Sequence, residues 1–259
     1  MNSRNGAAIA FCALSLFLCS AAESSTLTPI YAFGPTDGGF GPMRPLTIYN
    51  GHLYGTTCGG GFATTATGTS FRIDFSGLNY TKLHDYDHTA DGECPSELIF
   101  HGQYAYGTTR DTNGATDRLS KTKKTAPYAL TNLYSFTIPQ TGQDAEAGVI
   151  FASGNYYGTT TTGGVYGNGV VYRYDGTAMA VLHPFAGPDG AGPDRALLYN
   201  QGSLYGTTRQ GGTANFGTVF QMDLSGNILR QYAFPGGTGG EQPSSPPVKV
   251  GQWLYGVTR

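Results

Sequence analysis

Arg110, Arg209 and Arg259 each follow a copy of one tetrapeptide, Tyr-Gly-Thr-Thr or its variant Tyr-Gly-Val-Thr, and each opens a loop. Cys58 and Thr161 hold the same position after the two remaining copies. A guanidinium grips a carboxylate or phosphate through two parallel N–H donors. A ring of such arginines around a central opening would therefore bind an acidic ligand. Phe62, Tyr166 and Phe216 follow in the same loops and offer aromatic faces for stacking on sugars. The plainer expectation is that each arginine pairs with a carboxylate of a neighbouring loop. Asp37, Asp91, Asp144 and Asp189 recur there, mostly as Asp-Gly turns.

Other chemistry is less well supplied. Glycoside hydrolysis needs two carboxylates on one cleft. Asp37, Asp91, Asp144, Asp189, Glu93, Glu146 and Asp194 are available, but most recur as turn residues and nothing singles out a pair. No catalytic residue is assigned, and the expectation is a protein that is not an enzyme. His52, His84, His88, His101 and His183 are scattered. His84 and His88 have helical spacing in what reads as a strand and its following loop, which argues against a zinc pair. No metal and no cofactor are expected. No Gly-x-Ser-x-Gly occurs, and the Gly-rich loops do not lead into helices, so a phosphate cradle is not indicated.

The elements that would position these loops follow from the repeat. Its tyrosines are Tyr54, Tyr106, Tyr157, Tyr205 and Tyr255, spaced 52, 51, 48 and 50 residues apart. The fourth repeat shows the parts: an apolar run at 196–200, a turn at Gln201-Gly202, a second strand at 204–208, a loop at 209–216, a third strand at 217–223, a turn at Ser225-Gly226 and a fourth strand at 228–234. The first turn recurs as Asn50-Gly51, His101-Gly102, Ser153-Gly154 and Val250-Gly251. Asn-Gly between alternating apolar residues is a strong hairpin signal. Four short strands repeated every ~50 residues describe a β-propeller blade. In Leu-Tyr-Gly-Thr-Thr the glycine is expected to let an aromatic from the next blade approach closely.

The predicted fold is all-β: a propeller of about five four-stranded antiparallel blades over residues 23–259, the last completed by both termini. Residues 29–33 match the fourth-strand ending 231–234, and 247–259 match a first and second strand. The third strand of that blade is missing. Either the fifth blade has three strands or the chain is a truncated copy of a longer array. Repeat two departs from the frame: Arg118, Lys121, Lys123 and Lys124 stand where an apolar third strand is expected. That stretch reads as a solvated, degenerate edge, or else as a basic binding surface.

Bulk properties narrow the setting. Gly is 40 of 259 residues and charged residues are 12%, without a collagen period. A net charge of −2 gives no electrostatic footprint for nucleic acid. Residues 1–22 read as a secretory signal: Arg4, an apolar run at 7–19 too short to span a bilayer, and a small-residue site at Ser20-Ala21-Ala22. The expected location is secreted or on a bacterial cell surface, as a monomer without a transmembrane segment in the mature chain. The partner would be an extracellular glycan, a polyanion or a protein. Cleavage would leave Cys58 and Cys94. Both fall in loops of one face, so a Cys58–Cys94 disulfide is expected, with two free thiols as the alternative.

The combined motif, Leu-Tyr-Gly-Thr-Thr, then Gly-Gly, then Gly-Thr-Val-Phe and Ser-Gly, resembles the GloVer repeat of choice-of-anchor tandem-repeat proteins. Repeat four matches throughout, from Leu204 to Gly226, and repeat three matches from Tyr157 to Gly176. Repeats two and five match in their first halves. The resemblance implies a secreted or surface-anchored, propeller-like bacterial protein and supplies no catalytic residues. Kelch repeats share the length and a Gly-Gly but want a recurrent Trp, and Trp253 is the only one.

Overall fold

The computed structural model describes residues 29–33, 39–61, 66–110 and 116–259. The signal-like segment 1–22, Asp37 and Phe62 lie outside the described residues. Each repeat begins with a hairpin whose turn chemistry sets its register. In blade one, β1 (Thr47–Tyr49) meets β2 (His52–Thr57), with Tyr49 opposite His52. Asn50 and Gly51 between them both have positive φ, 51° and 75°, the type I′ pattern that matches strand twist. Blade two differs. β5 (Ile99–His101) meets β6 (Tyr104–Thr109) with His101 opposite Tyr104, so the turn is Gly102-Gln103 and not His101-Gly102. Blade five behaves likewise, with Val250 opposite Trp253 and the turn at Gly251-Gln252. In both, glycine has moved to the first central position, which suits a type II′ turn and keeps the same register.

Four sheets are complete and antiparallel. Blade one adds β3 (Ala66–Asp74) and β4 (Thr81–Asp87). Blade two adds β7 (Arg118–Lys123) and β8 (Leu130–Ser135). Blade three is β9 (Ile150–Ala152), β10 (Asn155–Thr160), β11 (Val170–Tyr174) and β12 (Met179–Pro184). Blade four is β13 (Leu198–Asn200), β14 (Ser203–Thr208), β15 (Thr218–Asp223) and β16 (Ile228–Ala233). Blade five has two strands among the described residues, β17 (Val248–Val250) and β18 (Trp253–Tyr255).

The segment 29–33 forms no strand, yet it stands where a fourth strand's end should stand. Phe185, after β12, packs on Phe220 of blade four, and Phe136, after β8, packs on Tyr172 of blade three. Phe33 packs on Phe71 of blade one in the same way, at 5.1 Å between ring centres. The backbone of Gly226 lies against Leu182 of the preceding blade, and that of Gly77 lies against Ile30. Ile30 and Phe33 thus occupy the places of Leu182 and Phe185. The N-terminal segment thus packs on blade one as the end of each preceding blade packs on the next.

Two further expectations need correction. The aromatic that approaches the signature glycine comes from the same sheet. Gly206 is opposite Phe220, Gly55 opposite Phe71 and Gly158 opposite Tyr172. A Cβ on Gly55 would lie 2.5 Å from the Phe71 ring and 2.6 Å from Leu46. The neighbouring blade's phenylalanine then packs at a steep angle on that aromatic, not on the glycine. The second correction is repeat two: its basic stretch is an inner strand paired on both sides. Leu119, Ser120 and Thr122 of β7 are buried, while two of the four cations lie over rings. Lys121 sits 4.5 Å from the Tyr104 ring centre and Lys124 4.5 Å from that of Tyr49. Lys124 also donates to the Tyr49 hydroxyl.

The two threonines of the signature have separate tasks. The first reaches the next blade: Thr56 Oγ1 donates to the Pro95 carbonyl at 3.0 Å, and Thr108 Oγ1 to those of Ala145 and Ala147 at 2.8 and 2.9 Å. The second ties the loop face: Thr109 Oγ1 donates to the Asp91 carbonyl, and Thr208 shares a hydrogen bond with Thr218. On the opposite face, Asp175 accepts from the amides of Thr177 and Ala178. The Ala178 and Thr177 amides, with the Thr177 hydroxyl, hold its carboxyl down at about 2, against an ordinary 3.8. A depressed acid contributes stability that is full above its unfolded value and lost as pH falls through the folded one. The melting-temperature gap between wild type and Asp175→Ala should therefore be present at neutral pH and shrink between about pH 4 and pH 2. A gap independent of pH would show that the carboxylate's charge plays no part in this turn.

Candidate functional site

The loops after the second and fourth strands share one face, and a repeated backbone pair fixes them there. The amide after each signature donates to a carbonyl of the upstream loop. Cys58 bonds Gly41, Arg110 bonds Glu93, Thr161 bonds Asp144, Arg209 bonds Gly192 and Arg259 bonds Glu241, at 2.8 to 3.1 Å. The five positions are therefore equivalent in space as well as in sequence.

Their side chains are treated differently. Arg110 Nη1 lies 2.6 Å from Glu146 Oε1, so it is paired with the next loop. Arg209 is exposed and lines a groove of about 260 Å³ with Thr161, Thr162, Asn168 and Gln210. Among the described residues it makes no ion pair. Arg259 is exposed. Tyr166 is 60% exposed, in the loop that flanks this groove. Phe216 packs over Gly236 of the following loop. Cys58 and Cys94 are joined as a disulfide, with Cα atoms 3.9 Å apart. None of the described residues among the expected ligand-binding set lines the central opening.

The opening is lined instead by segments just ahead of the innermost strands. Met43, Arg44 and Pro45 precede β1, Glu97 precedes β5, Ala147 precedes β9, Asp194, Arg195 and Ala196 precede β13, and Ser244, Ser245 and Pro246 precede β17. All five repeats thus meet around one axial cavity of about 230 Å³. Sequence reasoning included Asp194 and Glu146 among the available carboxylates but missed Arg44, Glu97 and Arg195. For the two arginines the signal is the offset from the signature tyrosine. Asp194 and Glu146 stand eleven residues before Tyr205 and Tyr157, and Arg44 and Arg195 ten before Tyr54 and Tyr205.

The electrostatics of this cavity are unlike those of the scaffold. Asp194 is 7% exposed, and its Oδ1 is buried without a hydrogen-bond partner. Its Oδ2 lies 3.5 Å from Arg195 Nη2. Burial pushes its carboxyl above the ordinary value; Arg195 and Arg209 pull it back, and nearby Glu146 adds to the rise. Among the described residues, neither Arg44 nor Arg195 donates a hydrogen bond, and the Nε of each is buried. Glu97 packs its side chain over the backbone of Gly148 in the neighbouring blade.

Two histidines tie loops of this face. His84 Nε2 is 2.9 Å from Asp91, and His183 Nε2 is 2.8 Å from Asp189, at matching places in blades one and three. Burial works against the Asp91 carboxylate, but the bonds from His84 and the Asp87 amide hold it below the ordinary value. Among the described residues, no group of three or more His, Cys, Asp or Glu could hold a metal ion, and no helix is long and apolar enough to cross a membrane.

Among solved structures, the α-L-arabinofuranosidase CtGH43 of Clostridium thermocellum ATCC 27405 is 13% identical with a TM-score of 0.46, over 79% of this chain and 77% of that one. TolB of Acinetobacter baumannii is 13% identical with a TM-score of 0.45, over 69% of this chain. The present chain spans 40% of that TolB chain. The exo-β-1,3-galactanase of Phanerochaete chrysosporium is 14% identical with a TM-score of 0.47, over 76% of this chain and 49% of that one. No curated protein matches the chain. The profile of the Gloeobacter/Verrucomicrobia repeat matches residues 118–259, more than half of the sequence and both of its most regular blades. The chain belongs to the Gloeobacter/Verrucomicrobia repeat family.

Proposed function

We propose that this protein is an exported, non-catalytic binding module that takes one ligand at its axial cavity. Export is supported by Arg4, the apolar run at 7–19 and Ser20-Ala21-Ala22. The observation that carries the binding reading is that the repeat breaks down at the axis. Tyr-Gly-Thr-Thr recurs because it packs sheets. The axial positions carry Arg44, Glu97, Asp194 and Arg195 in some repeats and Ala147, Ser244 and Ser245 in others. Packing alone gives no reason to bury Asp194 with an unbonded oxygen, which costs about 1–3 kcal/mol. One asymmetric site, not five equal ones, is what such a lining would build.

The test is a thermal-shift screen against glycans, uronic acids and polyanions. A ligand that binds the folded state alone adds about 2.7 kcal/mol at 100 times its dissociation constant. The shift should vanish in Arg195→Ala and persist in Arg259→Ala. A shift lost in Arg209→Ala and Arg259→Ala but kept in Arg195→Ala would move the site outward to the arginine loops.

Hydrolysis of extracellular polysaccharide is the second reading, and one observation favours it. Glu97 and Asp194 line one cavity, and burial, with Glu146 nearby, holds Asp194 up, as a general acid requires. Release of reducing ends from a polysaccharide by wild type, lost in Asp194→Asn, would establish an enzyme and overturn the binding-only reading.

A further inference from the structure

We infer that the ligand of the axial cavity is a neutral polyhydroxylated ring, such as the terminal residue of an uncharged glycan. The inference rests on the binding reading above and assigns its ligand class. Four ionisable side chains line the cavity, Arg44 and Arg195 against Glu97 and Asp194, so their formal charges cancel. A cavity built for a carboxylate or phosphate would carry an excess of cations. Here each sign is answered within the same wall.

The order of the charges matters as much as their sum. Asp194 and Arg195 are sequence neighbours, with Oδ2 3.5 Å from Nη2. They present an acceptor and a donor side by side. A sugar hydroxyl donates one hydrogen bond and accepts another, so two vicinal hydroxyls match such a pair. A zwitterion needs opposite charges at separated ends, and this pair would set a repelling charge beside each end. Arg44 on blade one and Glu97 on blade two supply a second donor and acceptor across neighbouring blades. Ser245 Oγ accepts from the Val257 amide, which leaves its own proton available for a ligand oxygen. Between these polar groups lie Met43, Pro45, Ala147, Ala196 and Pro246. Their apolar surfaces suit the C–H faces of a pyranose or furanose. The volume, about 230 Å³, is below the range of drug-sized sites and accommodates one ring.

Calorimetric titration of the purified chain distinguishes the classes. The panel is methyl glycosides of common pentoses and hexoses in both anomers, the corresponding hexuronates, and α-amino acids, each at low and high salt. The expected result is binding of a neutral glycoside with a dissociation constant that changes less than about twofold with salt, since no net charge is screened. Glu97→Gln and Arg195→Gln should each weaken it by about 10-fold to 100-fold, the range of a hydrogen bond to a charged group. The salt series uses wild type alone and stands even if a variant fails to fold. Salt-sensitive binding of a hexuronate, or binding of an amino acid, lost in Arg195→Gln, would overturn the ligand class and leave the axial site intact. Glycoside binding untouched by both variants would place the ligand elsewhere and overturn the axial site as well. No binding of any neutral glycoside overturns the inference.

Discussion

Phe220→Ala should lose about 3–5 kcal/mol in urea denaturation, the usual cost of removing a buried phenylalanine. Phe220 is 1% exposed, lies opposite Gly206 across the sheet and packs against Phe185 of the preceding blade at 5.3 Å. Gly206→Ala should cost about 1–3 kcal/mol through overpacking, because its Cβ would enter the Phe220 ring and come within 2.8 Å of Leu197. The two effects should not add. With Phe220 removed, the new methyl enters space the ring has left. The second substitution should then cost much less, a coupling of about 0.5–3 kcal/mol. Equal cost of Gly206→Ala in both backgrounds would mean that the close approach is not why glycine stands there. The same pairing recurs at Gly55 with Phe71 and Gly158 with Tyr172, so the result speaks for three blades.

The second large effect is expected at the cysteines. Cys58 and Cys94 are separated by 36 residues, and the tether joins the loop after β2 to the connection into blade two. Closing a loop of that length lowers the entropy of the unfolded chain by an amount worth about 3–4 kcal/mol. Reduction, or the double change Cys58→Ala with Cys94→Ala, should lower stability by that order in equilibrium unfolding. Neither thiol should react with an alkylating agent before reduction. Modification of both cysteines in the untreated protein, read by intact mass, would show that the tether is not formed.

The scaffold was legible because its rules are local. A turn glycine, an alternating strand and a tetrapeptide of fixed period are each readable within a few residues. Even where the turn shifted, at Gly102 and Gly251, the register survived, because one turn type replaced another. β7 was harder. Arg118, Lys121 and Lys123 hide an inner strand whose buried positions are Leu119, Ser120 and Thr122. The ladder slips between Leu119 and Ser120, so strict alternation fails there, and lysine stems beside Tyr104 and Tyr49 replace the usual apolar contacts. The partner of the signature glycine was assigned to the wrong sheet for a related reason: period and spacing give the strand, but only register gives its opposite residue. The axial residues were the least visible. Arginine holds its axial position in only two of the five repeats, at Arg44 and Arg195, and glutamate holds its own in one, at Glu97, so a reading built on the full recurrence passes over them. What varies between copies carries the individuality of the site, and a period detects only what does not vary.

The amide pairs of the loop face have an implication for how such a protein can be altered. At the residue after each signature, the main chain alone makes the recurrent bond, from Cys58 to Gly41 through to Arg259 to Glu241. That bond does not depend on side-chain identity, and the chain already carries cysteine, threonine and three arginines at these places. Apart from Cys58, whose disulfide tethers its loop, the rim is thus a set of four fixed pegs with exchangeable heads. Randomising those heads would give a combinatorial repertoire on an unchanged frame, much as hypervariable loops do on a sandwich domain.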